Sequence, residues 1–395
     1  MRTAKGLLVW FVATLFVIYA FCLNTAAAVF STAIKTSLHL TDLQVSYAMG
    51  GFIAGFALMQ IPAGYLLDRF NTKIIISAGV LILALGNVLI SYSDSLFLFT
   101  VSNFIQGIGG SFAFIAVAVL ISNWFPSRIF PIMFGLTQTL SCVLAGVIHY
   151  AFMMALHQHS WNELYFDLSI FGFTLFVLTA LIVHSPKREK APEVLSLAKA
   201  LKLVCGNPQI WLCAIAAATT FGVLLAYGAF WYVNIQKFYS VSTDNAFILS
   251  AIIFVGIGVG TPLLGYISNL LKSRMLVIHV TVVLGSMALL LGIYLPHYKF
   301  GSLILIDTIS FFIGFLLSGS MLFYTIVSEI STDSTRGVAL SLTNTCVFLF
   351  NTLLMFLPYL FVTQLSQDFY TYLWILPFSV MISILLFYFI KDTFH

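Results

Sequence analysis

The sequence predicts an all-α membrane protein of twelve transmembrane helices in two six-helix pseudo-repeats, with both termini cytoplasmic. Three observations carry that prediction. The first is composition: 61% of residues are hydrophobic, only 8% are charged and the mean hydropathy is +1.06. A soluble domain carries about 25% charged residues, so this chain lacks the polar groups to cover itself in water and needs lipid as its solvent. The second is the placement of the basic residues, and the third is an echo of the first half in the second.

Apolar runs bounded by polar or turn-rich breaks place spans near 7–34, 44–66, 73–92, 95–122, 129–152 and 163–184. Six more follow near 209–236, 245–268, 274–295, 301–328, 337–362 and 369–391. A span takes about 20 apolar residues, so these fill the 395-residue chain and leave no room for a soluble domain. The opening Met1-Arg-Thr-Ala-Lys5 and its apolar run have the look of a signal peptide. The run continues to about residue 34 without a small-x-small cleavage site, so it reads as span 1. The longest polar stretch, 185–208, opens Ser-Pro-Lys-Arg-Glu-Lys-Ala-Pro-Glu and closes with a short amphipathic piece. It divides an N-terminal bundle, 1–184, from a C-terminal bundle, 209–395.

Orientation follows from Lys and Arg. With a cytoplasmic N-terminus, 14 of the 17 basic residues fall on that side, and only Lys35, Lys237 and Lys299 on the other. The positive-inside rule then fixes both termini in the cytoplasm, which an even number of spans requires. The five cysteines (Cys22, Cys142, Cys205, Cys213, Cys346) show no metal-ligand spacing and no disulfide framework. No cofactor or metal site is expected, and nothing points to nucleic acid.

The internal echo is local but placed alike in both halves. Gly64-Tyr-Leu-Leu-Asp68-Arg69-Phe-Asn-Thr-Lys73 lies between spans 2 and 3, and Gly265-Tyr-Ile-Ser-Asn269-Leu-Leu-Lys272-Ser-Arg274 between spans 8 and 9, at an offset of 201 residues. Gly55 and Gly256 share that offset, and Leu136-Thr-Gln138-Thr139 in span 5 pairs with Leu342-Thr-Asn344-Thr345 in span 11. The motif has a physical reading. Gly64 removes a side chain where helix ends must approach. Asp68 stands just past a cytoplasmic helix end beside Arg69 and Lys73, where a carboxylate accepts from free helix N–H groups or pairs with a base. Gly64, Asp68, Arg69 and Lys73 are therefore the expected conformational latch; for Arg69 and Lys73 the plain alternative is ordinary loop charge.

Gly64-x-Leu66-x-Asp68-Arg69 with Lys73 resembles the signature loop of the major facilitator superfamily, although Asn71 stands where that family usually has Gly and Thr72 where a basic residue is common. Span count, central linker and the degenerate copy at 265–274 extend the resemblance over the whole chain. It implies two six-helix bundles, a central cavity and alternating access. Span 4 reads Asn103-Phe-Ile-Gln106-Gly107-Ile-Gly109-Gly110, similar to the family's Arg-x-x-Gln-Gly-x-Gly, with Asn103 replacing the arginine linked to proton coupling in many members. The stretch from Gly110 to Pro126 is similar to the bacterial branch of phagosomal nutrient transporters, which tilts the expected cargo toward amino acids or nucleosides.

Intramembrane polar groups are the candidate cavity residues, because burying them in lipid is costly. Asp307, read as two turns into span 10, is a carboxylate for a proton or a substrate amine; alternatively it faces external water. Glu329, at the inner end of span 10, is expected to pair with Arg336 or another loop cation. Asn24, Gln106, Gln138 and Asn344 are amides that either join helices or hold a polar solute, while Gln60 and Asn351 read as helix-to-helix bonds. In span 7, Tyr227, Phe230, Trp231 and Tyr232 serve as interfacial anchors or as an external gate, with Tyr227 the preferred gate residue and Tyr324 a further cavity candidate. The chain has no Gly-x-x-x-x-Gly-Lys-Ser/Thr loop, and Asp307 stands nearly alone, so neither ATP-driven pumping nor intramembrane catalysis is expected. The expectation is a monomeric secondary transporter of the bacterial inner membrane taking up a small polar solute, with or without protons. Export of a metabolite, siderophore or drug, or nutrient sensing without transport, are the alternatives.

Overall fold

The computed structural model describes residues 2–184, 195–236, 241, 243–297, 302–361 and 373–394. Residues 185–194, 237–240, 242, 298–301 and 362–372 lie outside that set, among them Lys237, Lys299 and the expected start of span 12. Among the described residues the fold is helical, with 11 helices long and apolar enough to cross a membrane and a shorter apolar helix over Ile375–Phe389, consistent with twelve spans.

In chain order the N-terminal half comprises α1 (Arg2–Val29), α2 (Ser31–Ser37), α3 (Asp42–Arg69), α4 (Thr72–Ser91), α5 (Leu96–Trp124), α6 (Phe130–Ala155) and α7 (Trp161–Ile182). Starts are specified by capping side chains, which take up the orphan amides of a first turn. Thr41 and Gln44 form a capping box, as do Ser160 and Glu163, while Asn71 caps α4 and Ser95 caps α5. Span 1, expected as one run to residue 34, stops at Val29 and resumes as α2. A short α8 (Leu197–Cys205) buries Ala200 and Val204 and turns Lys199 and Lys202 outward, the amphipathic piece expected before span 7.

The second half differs from uninterrupted spans in two places. Span 7 runs as α9 (Pro208–Ala217), a π segment (Ala218–Gly222), α10 (Val223–Ala226), a second π segment (Tyr227–Trp231) and α11 (Tyr232–Gln236). Span 10 is α14 (Leu303–Leu317), a 3-10 turn (Ser318–Met321) and α15 (Leu322–Ile330), after α12 (Thr243–Leu270) and α13 (Arg274–His297). Then come α16 (Arg336–Phe361) and α17 (Ile375–Leu386). Averaged hydropathy is blind to such changes of helix pitch, since both spans stay apolar overall despite Thr219, Thr220, Ser318 and Ser320.

The chain packs as two compact units, each of which takes in a short piece of the other half of the sequence. Unit 1 is Met1–Pro126, Val143–Lys202 and Thr332–Ser341; unit 2 is Ser127–Cys142, Leu203–Ser331 and Leu342–His395. The exchanged pieces open spans 5 and 11, which correspond in the repeat.

Within each unit the same glycine clasp recurs. In unit 1 a Cβ on Gly55 of α3 would lie 3.0 Å from the Phe104 carbonyl carbon of α5, and one on Gly107 of α5 2.8 Å from the Phe56 nitrogen of α3. In unit 2 Gly256 of α12 would meet the Phe315 nitrogen at 2.9 Å, and Gly314 of α14 the Ile253 carbonyl carbon at 3.0 Å. No side chain fits at these distances, so backbone approaches backbone. The four glycines occupy matching positions of the two halves, which extends the echo read from the loop motif.

Candidate functional site

The signature loop has its counterpart within unit 1. Asp68, at the end of α3, accepts from the backbone N–H of Gly337 (2.7 Å) and of Val338 (3.0 Å), in the first turn of α16. These are orphan donors of a helix N-terminus, where the helix dipole also favours a negative charge. One turn earlier Gly64 makes the approach possible, because a Cβ there would lie 2.7 Å from the Gly337 carbonyl carbon and against the Ser341 hydroxyl. Gly337 is equally constrained, since its Cβ would stand 2.8 Å from the Asp68 carboxylate. Arg69 turns elsewhere: its guanidinium donates to the Tyr65 hydroxyl and lies 5.4 Å from the Phe70 ring centroid. For Lys73 the recorded bond is from its backbone N–H to the capping Asn71 (3.0 Å). Of the four expected latch residues, the structure thus brings Gly64 and Asp68 to α16 and leaves Arg69 and Lys73 beside the loop.

The repeat-related position in unit 2 is built from other chemistry. A Cβ on Gly265 would lie 3.1 Å from the carbonyl carbon of Pro131 at the start of α6, and Pro131 corresponds to Gly337. Proline has no N–H to give. Where the first half has an acceptor, the second therefore has an amide that donates: Asn269 gives a hydrogen bond to the Arg128 carbonyl (2.8 Å).

The oxygen of the same Asn269 accepts from Arg274 (2.6 Å), whose guanidinium is 1% exposed and also donates to Ser268 (2.6 Å) and Glu329 (3.1 Å). Of the two partners expected for Glu329, the structure therefore selects a loop cation other than Arg336, which pairs with Asp333 at 2.7 Å. Residues 392–394 cover this cluster. Thr393 donates to Glu329, the Phe394 ring lies 4.8 Å from the guanidinium carbon, and Asp392 accepts from the N–H groups of Arg274 and Met275 (both 3.1 Å) and from Ser273. Partial burial pushes the Asp392 carboxyl up, but the hydrogen bonds from Ser273 and the backbone amides outweigh it and hold it below the ordinary aspartate range.

The intramembrane candidates fall into three groups. In unit 2, Asp307 accepts through Oδ1 from the Tyr232 hydroxyl (2.5 Å) and from Gln236 (3.4 Å). Because α14 begins at Leu303 with Ser302 as its cap, Asp307 sits little more than one turn in, nearer the outer end than the sequence suggested. Also in unit 2, Tyr324 donates to Asn344 (2.9 Å), the Phe134 ring lies 5.6 Å from that of Tyr324, and the Asn344 amide nitrogen is buried without a partner. Gln138, one turn beyond Phe134, donates to Cys142 of its own helix (3.4 Å). Tyr227 is fully buried, with its hydroxyl toward α13: a Cβ on Gly292 would lie 3.0 Å from it.

In unit 1, Gln106 joins a chain between helices. It donates to Asn87, Asn87 donates to the Tyr19 hydroxyl, and Tyr19 donates to the Leu168 carbonyl (2.8 Å). Gln106 thus joins helices here, together with Asn87, the one amide of α4. Asn24 is half-buried near the end of α1. Asn103 donates to the Phe99 carbonyl of its own helix (2.8 Å).

Paired six-span halves, glycine clasps at matching positions and a carboxylate on a distant helix N-terminus define a polytopic membrane transporter fold. The chain belongs to the Major Facilitator Superfamily, whose family profile matches residues 12–353. Over the full length it is similar in structure to the proton:xylose symporter XylE bound to 6-bromo-6-deoxy-D-glucose, with a TM-score of 0.79, 14% identity and coverage of 100% of this chain and 97% of that one. At that identity the likeness shows the fold alone. Among characterised sequences it is similar to the multidrug resistance protein MdtL of Shewanella sp. (strain ANA-3), 25% identical over 154 residues, and of Shigella dysenteriae, 22% over 157 residues. These matches span 38% and 39% of either chain, so the similarity covers about two-fifths of those relatives.

Proposed function

We propose that the protein is a secondary transporter that carries a small polar organic solute across the bacterial inner membrane by alternating access. An amino acid or nucleoside-like nutrient is the favoured cargo, carried with or without protons. The observation that carries this reading is the contact of Asp68 with the first turn of α16. It ties residues 269 and 270 positions apart through bonds that can be exchanged without refolding either helix, which is what a two-state element requires. Asn103 bonds its own helix, so coupling in this reading does not rely on a span-4 arginine. Asn344, with its unused amide donor, is the foremost candidate for touching the solute, and Gln138, Tyr324 and Asn24 complete the proposed cavity set. The protein is proposed to act as a monomer, with an N-terminal bundle over 1–184 and a C-terminal bundle over 209–395.

Export of a metabolite, siderophore or drug is the second reading, favoured by the likeness to proteins named for multidrug resistance. Proteoliposomes separate the readings. An inward acid gradient should drive accumulation of at least one compound from a panel of amino acids and nucleosides. Flux confined to lipophilic dyes would favour export. Binding without any flux would favour a sensor and end the transporter reading.

A further inference from the structure

We infer that Asp307, together with Gln236 and Ser310, is a recognition site for an ammonium group, so that the carried solute bears a protonated amine. The inference rests on the transporter reading for the idea of a carried solute, and on the following geometry for its chemistry. Both recorded bonds to Asp307, from Tyr232 and Gln236, reach the same oxygen, Oδ1. They orient the carboxylate and leave Oδ2 to other partners. Among the described residues no Lys, Arg or His pairs with Asp307. A carboxylate that no described cation compensates is costly within a span, and such groups mark ion or substrate sites.

The neighbours extend the pattern. Gln236 is fully buried, spends its amide nitrogen on Asp307 and leaves its carbonyl oxygen without a partner. Ser310, one turn along α14, is also buried and spends its hydroxyl hydrogen on the same Tyr232 oxygen, which leaves its lone pairs to the cluster. The cluster is thus rich in acceptors, one of them charged, and its donors are largely spent. It disfavours anions and suits a cation with several N–H donors, because each unpaired buried acceptor carries a desolvation penalty that a donor removes. A lone proton bonds only one of these oxygens. The Tyr232 ring carries the hydroxyl bonded to Asp307, the Tyr227 ring lies 5.6 Å from it, and aromatic faces attract organic ammonium groups. The second π segment of span 7 ends at Trp231 and brings Tyr227, Trp231, Tyr232 and Gln236 all into the interior, and π turns recur at functional sites.

The test uses purified full-length protein in detergent with phenethylammonium chloride as the probe and phenethyl alcohol and sodium chloride as comparisons, read by tryptophan fluorescence and thermal unfolding. The ammonium probe should give a saturable shift at constant pH, and the alcohol none. Asp307→Asn should weaken the half-saturating concentration at least about tenfold, and Gln236→Leu by a smaller factor. Should Asp307→Asn fail to fold, Gln236→Leu and Asp307→Glu carry the comparison, with weakening by the first and retention by the second expected. Equal responses in wild type and variants overturn the inference, as does an equal response to sodium chloride or a response that follows pH alone. Accumulation of an amine-free solute in proteoliposomes ends the inference and leaves the transporter reading standing; ammonium binding without flux of any solute ends the transporter reading and leaves Asp307 as an ammonium-binding site alone.

Discussion

Replacing Asp68 by Asn removes a charge while keeping the size of the side chain. Asp68 accepts hydrogen bonds from the backbone amides of Gly337 and Val338. A bond to a charged group contributes about 1.5–3 kcal/mol. Asp68 is half-buried, so the low end applies and the pair contributes about 3 kcal/mol. Asn retains one acceptor, worth about 1 kcal/mol, and turns an N–H₂ toward the other donor. The net loss of about 2 kcal/mol shifts any equilibrium between contact made and contact broken roughly 30-fold. Ser341 reports the shift because it is fully buried beneath Gly64. In a background with the native cysteines replaced, Ser341→Cys should react with a maleimide roughly 30-fold faster when Asp68→Asn is added, provided reclosing outpaces labelling. Turnover should fall more than solute affinity. An unchanged labelling rate, or a raised half-saturation constant with normal turnover, would refute the reasoning.

Other perturbations probe different parts of the molecule. Glu329→Leu strands the buried Arg274 guanidinium and should destabilise by about 3 kcal/mol, visible as a lower thermal unfolding midpoint. Asp392 has a lowered pKa in the fold, so its contribution is complete above the unfolded aspartate value and fades as pH falls through the lowered one. Asp392→Asn should therefore trail wild type by a constant margin between about pH 6 and 8, and the gap should close below about pH 4; a gap that widens in acid would contradict the assignment. Asn344→Ala should raise the half-saturating solute concentration by about tenfold if its free amide meets the solute, since a lost neutral hydrogen bond is worth about 1 kcal/mol and the Tyr324 hydroxyl is left unmatched. Equal affinity in that variant would remove Asn344 from the cavity set.

The architecture was legible because it follows from solvent. Apolar runs and the lopsided distribution of Lys and Arg depend on lipid and membrane orientation, not on which helices touch. Gly64 and Asp68 were legible for another reason, since a missing side chain and a carboxylate at a helix end each imply a neighbour. Which neighbour was not legible, because Gly337 is 269 residues away from Asp68. Arg274 illustrates the limit most clearly. As a loop cation it looks solvated, and Arg336 lies closer in sequence to Glu329, yet Arg274 is the buried partner. The π turns of span 7 leave no trace in hydropathy, so the direction of the Tyr227 hydroxyl, toward α13, was not legible. Gln106 shows the ambiguity of buried amides, whose types are the same whether they join helices or meet a solute.

Gene duplication alone would have given this molecule two interchangeable joints. Pro131 prevents that. Because it lacks the N–H that Gly337 supplies, one joint is held by a charge and the other by a neutral amide. Salt, or any cation competing for Asp68, should therefore weaken the first contact and spare the second.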